Sequence, residues 1–188
     1  MKSKEKLQLA ANKLFIENGY ENTTIEQIAQ LAGVTKRTFY RQFKDKSDVL
    51  FDADNKLGKS VAAYIKEQDN SNSNYIRTGV DAFIDLTAPM FSAERERIIT
   101  RYHIIQNHPD LLERELLKMF ELTETIKDAL KSAGLVDQND CDTTAELIVL
   151  IFKLAFQRFV DEETKSFVEW LNYFFDKCSF LIDKEKTI

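Results

Sequence analysis

Residues 24–50 read TIEQIAQLAGVTKRTFYRQFKDKSDVL. Two short amphipathic patterns meet here at a glycine. Thr24 is placed to cap a helix with Gln27 reaching back as its capping-box partner, and Ile25, Ile28, Ala29 and Ala32 recur on one face. Gly33 makes the turn. Thr35 then caps a second helix over 36–43, whose Phe39 and Phe43 lie one turn apart and point inward. Upstream, Leu7, Ala10, Ala11, Leu14 and Phe15 predict a helix over 4–18 that ends at Gly19, where a left-handed cap is needed. Phe15, Ile28, Phe39 and Phe43 together predict a small, closed three-helix core. The second helix of the pair is otherwise polar and basic, the layout of a helix-turn-helix whose second helix enters the major groove of DNA.

Five glycines and two prolines in 188 residues favour long helices over turn-rich β architecture. No run shows the two-residue alternation of a strand, so the expected fold class is all-α, with about nine helices. Net charge is −5, which by itself argues against a nucleic-acid binder. The distribution reverses that. Residues 1–50 carry nine Lys and Arg against six Asp and Glu, while the remainder carries seventeen against twenty-five. A basic end on an acidic body suits docking on phosphates with one end only. The expected domains are 1–46, a DNA-binding helix-turn-helix, and 47–188, a helical ligand-binding and dimerisation domain.

Beyond the motif, a long fourth helix is predicted from near Ser47 to the polar linker 67–74, the clearest composition break in the chain. Helices over 75–90 and 93–106 follow. A seventh starts near Pro109 and ends at Gly134, with Leu135 making the apolar contact of its cap. A second polar loop is expected over 137–142. The last two helices, around 147–159 and 167–182, are apolar nearly all round, which demands cover on both sides. A second copy is the simplest cover. The expected homodimer is a four-helix bundle using Ile148, Ile151, Phe152, Phe156, Phe159, Trp170, Phe174, Phe175 and Cys178. The alternative is that both helices are central within one copy.

Thr24, Ile28, Ala29, the run Ala32-Gly33-Val34-Thr35, Thr38-Phe39-Tyr40, Phe43, Lys46 and Leu50, with Phe15 and Gly19-Tyr20 upstream, resemble the DNA-binding signature of the TetR family of bacterial transcriptional regulators. The likeness covers about the first fifty residues; the remainder is similar to the family only in helical character. It implies an all-α homodimer, usually a repressor, whose larger domain holds a small-molecule pocket that controls the separation of two DNA-reading heads. Three positions depart from the family pattern. Arg37 replaces a residue that is often small, Gln42 a frequent aromatic or histidine, and Ser47 a usual acid.

The expected DNA-binding residues are Thr24, Thr35, Lys36, Arg37, Thr38, Tyr40, Arg41, Lys44 and Lys46. Lys36, Arg37 and Thr38 lie in the first turn of the recognition helix, where side chains reach base edges. Thr24 can offer a hydroxyl and a backbone N–H to a phosphate. By resemblance, Tyr40 and Lys46 donate to phosphates. The plain alternatives are that the cations form a solvated face and that Thr24 and Thr35 are only caps, which is compatible with DNA contact.

For an effector, the family's pocket would be lined by Phe83, Met90, Phe91, Tyr102, His103, Asn107 and Phe120, suiting a hydrophobic ligand. The segment 96–116 faintly resembles the C-terminal domains of TetR-type regulators that respond to acyl-CoA-like ligands. A TetR-like DNA binder that acts through a protein partner is the other reading. His103 and His108 have no second ligand at a metal-binding spacing, and Glu94, Arg95, Glu96, Arg97 and Arg101 read as a face of surface ion pairs. No phosphate loop, GxSxG or Cys–His arrangement supports an enzyme, and neither a cofactor nor a metal is expected. Cys141 and Cys178 make no disulfide framework. Residues 1–15 lack a signal-peptide core and the longest apolar run, 147–152, is too short to span a membrane. A cytoplasmic protein is expected.

Overall fold

The computed structural model describes residues 2–51, 55–68 and 74–185. Among them every element is helical: α1 Ser3–Asn18, α2 Ile25–Leu31, α3 Lys36–Gln42, a 3-10 turn Ser47–Leu50, α4 Lys56–Glu67, α5 Tyr75–Ala93, α6 Arg95–Gln106, α7 Pro109–Ser132, α8 Gln138–Asp161 and α9 Phe167–Glu185. The chain forms two compact units. One is built from residues 2–51 and 94–115, the other from 55–68, 74–93 and 116–185.

In the first unit, α1 packs on α2, α3, α6 and the 3-10 turn. Its core holds Leu7, Phe15, Ile28, Phe39 and Phe43, as the spacing predicts, but three helices do not close it. Val49, Leu50 and Phe51 enter the same core, as do Ile104, Ile105 and Leu111 from α6 and the start of α7. This corrects the expected long fourth helix. Adjacent α-helical residues point about 100° apart, so a continuous helix would turn one of Val49, Leu50 and Phe51 away. Ending the turn at Leu50, with Phe51 extended at φ −115° and ψ 145°, lets all three enter. Asp45 secures the turn by accepting from the Ser47 and Asp48 amides at 2.7 and 3.1 Å. Helix α4 begins afresh at Lys56. The expected linker 67–74 has residues 69–73 outside the described set.

In the second unit, α5 packs on α4, α8 and α9, and α8 on α9. Helix α5 runs past the expected end at Met90, because Phe91 in its last turn stacks on Phe167 at 3.8 Å and meets Phe159 edge-on at 5.1 Å. The expected cap of α7 is present. Gly134 has φ +102°, and Leu135 N–H donates to Leu130 O at 3.1 Å. The polar loop expected over 137–142 is instead the start of α8. Asp137 caps it, accepting from Asp140 N–H at 3.0 Å, and Asp140 adds negative charge where the helix dipole favours it.

The apolar circumference of α8 and α9 is covered largely within one copy. Ile148, Ile151, Phe152, Phe159 and Trp170 are buried, and Phe156, Phe174, Phe175 and Cys178 are half-buried. Among the described side chains of α8 and α9, the outward apolar ones are Leu150, Tyr173, Phe180 and Leu181, between 42% and 59% exposed.

Candidate nucleic-acid interface

Local chemistry fixes the start of α2, the turn after it and the start of α3. Thr24 Oγ1 accepts from Gln27 N–H at 3.2 Å, while Gln27 Oε1 accepts from Thr24 N–H at 2.8 Å; each thereby satisfies a helix-end donor. Gly33 takes φ +65°, a left-handed conformation that costs a glycine little, and the chain reverses as Val34 N–H donates to Ala29 O at 3.0 Å. Thr35 Oγ1 accepts from Thr38 N–H at 3.2 Å and starts α3. Phe39 and Phe43 anchor α3 inward with ring centroids 5.5 Å apart.

That anchoring sets the outward face. Thr24, Thr35, Lys36, Arg37, Tyr40, Arg41 and Lys44 are exposed, and Thr38 is half-buried beside Thr35. Eight of the nine expected DNA contacts thus lie on or beside the α2–α3 corner. Lys36 is engaged there by Glu26 of α2. The pairing raises the Lys36 pKa and lowers that of Glu26, so the first turn's cation carries a local counter-charge that the sequence did not announce. Both groups are exposed, and the pair is a weak, salt-screened one.

Lys46 is the exception. It is half-buried, its Nζ donating to Tyr20 O at 2.6 Å and lying 4.1 Å from the Tyr20 ring centroid. Burial lowers its pKa. Tyr20 in turn meets Phe15 and His108 edge-on at 5.2 and 5.0 Å, and burial first, then nearby carboxylates, push its phenol up to about 12.

The segment behind the recognition helix is held by residues that the sequence pattern read differently. Arg101, expected on a surface ion-pair face, is half-buried; its Nε donates to Leu50 O at 2.6 Å and an NH2 group to Glu115 at 2.7 Å. Arg114 pairs with Asp48 at 2.7 Å, its guanidinium lying 4.3 Å from the Phe51 ring centroid. The expected pairing does hold for Glu94 with Arg97. The roles of Glu21, Glu26 and His108 escaped the sequence reading, which weighed His108 only as a metal ligand, because their partners are distant in the chain.

The seven expected effector residues divide between the two units. Phe83 and Phe91 are buried in the aromatic core of the second unit, Phe83 lying 4.4 Å from Phe152. Met90 is exposed, and Phe120 lines an open groove of about 620 Å³ between α7 and α8, with Leu116, Met119, Leu147 and Leu150. Tyr102, His103 and Asn107 lie on α6 or just after it, in the first unit. Among the described residues no group of His, Cys, Asp and Glu could hold a metal, and no helix is long and apolar enough to cross a membrane.

Comparison with known proteins agrees with this geometry. A family model described as bacterial regulatory proteins, tetR family, matches residues 9–53. The HTH-type transcriptional regulator TcmR of Streptomyces glaucescens is 27% identical over 157 residues, 81% of this chain and 69% of TcmR. An HTH-type transcriptional regulator of Staphylococcus aureus is 33% identical over 76 residues, and there the chain spans only 41% of the relative. The fold matches that of Thermus thermophilus FadR, a TetR-family repressor in complex with lauroyl-CoA, with a TM-score of 0.59, 19% identity and coverage of 92% of this chain and 91% of the other. The helix-turn-helix that the capping threonines and Gly33 build is the one the tetR-family model describes, and residues 9–53 of this chain are a DNA-binding domain of the TetR type.

Proposed function

We propose that this protein is a homodimeric, cytoplasmic repressor that binds a palindromic operator and is released by a small hydrophobic effector. The observation that carries the DNA-reading part is the outward face of α3, where Arg37, Tyr40 and Arg41 stand exposed behind a Thr35 cap while Phe39 locks the helix from within. Arg37 and Lys36 address base edges, Thr24, Tyr40 and Lys46 address phosphates, and Thr35, Thr38, Arg41 and Lys44 complete the contact. Residues 1–46 supply this reading head, and 47–188 the effector and dimer surfaces. Two recognition helices matched to successive major grooves need a two-fold partner. The exposed apolar side chains of α8 and α9, Leu150, Tyr173, Phe180 and Leu181, support a second copy there.

The likeness to a repressor bound to lauroyl-CoA supports an acyl-chain effector, which would shift the population toward a conformation whose heads no longer fit the operator. Phe83, Met90, Phe91, Tyr102, His103, Asn107 and Phe120 remain the proposed effector contacts. One observation favours a second reading, regulation through a protein partner. Leu116, Leu117 and Phe120 on α7 are 58%, 59% and 64% exposed.

The test is fluorescence anisotropy with duplexes from upstream of the protein's own gene, across a salt series. Affinity should fall steeply with salt, and Lys46→Ala should weaken binding evenly across sequences and lower the salt slope by about one. Specific binding unchanged by Arg37→Ala, Tyr40→Ala and Lys46→Ala together refutes the assignment. Lauroyl-CoA should release the duplex; if it and other acyl chains do not, the protein-partner reading gains.

A further inference from the structure

His108 sits between α6 and α7, within the compact unit that carries the recognition helix, and both its ring nitrogens face oxygen. Nδ1 lies 2.5 Å from Ile104 O and Nε2 lies 2.5 Å from Glu21 Oε1. Neutral imidazole has one N–H and one lone pair, so it can satisfy only one of these acceptors; imidazolium donates to both. The same ring packs edge-on against Tyr20, whose carbonyl and ring also hold the Lys46 ammonium. Residues 20 and 21 are thus gripped between a histidine and the lysine read as a phosphate donor.

We propose that His108, as imidazolium, is a positioning residue for DNA binding: by holding Glu21 and Tyr20 it fixes the seat from which Lys46 reaches a phosphate. The inference rests on the reading of Lys46 as a DNA contact. The Ile104 carbonyl first, and Glu21 next, raise the His108 pKa above its ordinary value. The clamp is therefore complete below the ordinary histidine pKa and opens as pH rises through the raised one. The other groups facing this cluster are Glu21 and Tyr20 before α2, Asp45 and Lys46 after α3, and Asp110 and Arg114 on α7. Tyr20 stays neutral throughout, since its phenol is pushed up to about 12.

The experiment measures the affinity of the full chain for a random-sequence duplex and for upstream DNA at fixed low ionic strength, from about pH 5.5 to about pH 8.5. Both sets use a His103→Gln background, which leaves one histidine to titrate. Affinity should weaken by up to about fivefold as pH rises, the range of an exposed ion pair. His108→Gln should be flat at the weak level, His108→Lys flat at the tight level, and His108→Gln without further effect once Lys46→Ala is present. A pH profile unchanged by His108→Gln in a chain still folded by circular dichroism overturns the proposal and leaves DNA binding intact. Loss of affinity by His108→Gln that is equal with and without Lys46→Ala also overturns it. Failure of the parent chain to bind any duplex overturns the Lys46 reading and the clamp with it. Direct NMR titration of the His108 ring, independent of DNA, should show its pKa falling in Glu21→Gln; no change there breaks the clamp on its own.

Discussion

Replacing Gly79 with alanine probes the packing of α5 on α8. A Cβ at this position would lie 2.5 Å from Ile148 Cδ1 and 2.8 Å from both its Cγ1 and Cγ2. Ile148 is fully buried at 0% exposure, so it cannot swing aside without disturbing the core. On an exposed helix the change would stabilise by about 1 kcal/mol through helix propensity. Here it forces a methyl group into three atoms at once. Overpacking of this kind costs about 1–3 kcal/mol, and three clashes on an immobile side chain place it near the top, for a net loss of roughly 2 kcal/mol. Ile148→Ala removes all three clashing atoms and by itself costs about 2–5 kcal/mol. In that background Gly79→Ala should turn stabilising by about 1 kcal/mol, so the double-mutant cycle carries a coupling of roughly 3 kcal/mol. Urea unfolding followed by Trp170 fluorescence reads this directly, because Trp170 is the chain's single tryptophan and is buried in the same unit. A stabilised Gly79→Ala single variant, or an effect of the same size in both backgrounds, would refute the close approach of the two helices.

Two further outcomes follow from side chains of the DNA-reading unit. Thr24→Ala removes the acceptor of the α2 capping box and should cost about 1 kcal/mol in a thermal melt, while Thr24→Ser should keep most of it; an alanine variant as stable as the parent would mean the cap carries no weight. Tyr20 should ionise near 12 in an alkaline absorbance titration, above the ordinary tyrosine value. Its neutral form is favoured in the folded chain, so its share of stability is lost as pH rises from about 10 toward that value; a Tyr20→Phe variant with an unaltered titration curve would contradict this.

The DNA-reading corner was legible because its signals are local. A cap residue contacts an amide three positions away, as Thr24 and Thr35 do, and a left-handed turn shows itself as a glycine. Phe39 and Phe43, one turn apart, announce the inward face of α3 and thereby its outward one. The same locality explains the cap of α7 at Gly134 and Leu135. Failures came where several elements share one core. Val49, Leu50 and Phe51 looked like the start of a long helix, since nothing nearby says that α6 and α7 offer them a common apolar surface. Asp137 to Asp142 looked like a loop because polar composition is the same for a capped first turn and for a turn without structure.

The chain's own residues therefore determined the all-α class, the helix-turn-helix and the side chains it turns outward, through contacts spanning five residues or fewer. Tertiary structure decided what those side chains meet. Lys36 has Glu26 beside it, Lys46 rests on Tyr20, and His108 grips Glu21 across 87 positions of sequence. It also decided how much of α8 and α9 one copy covers by itself, since packing from α5 buries Ile148 and Phe152 and leaves Leu150 outside. Periodicity reports that a side chain must be buried; only the packed helices determine which neighbour buries it.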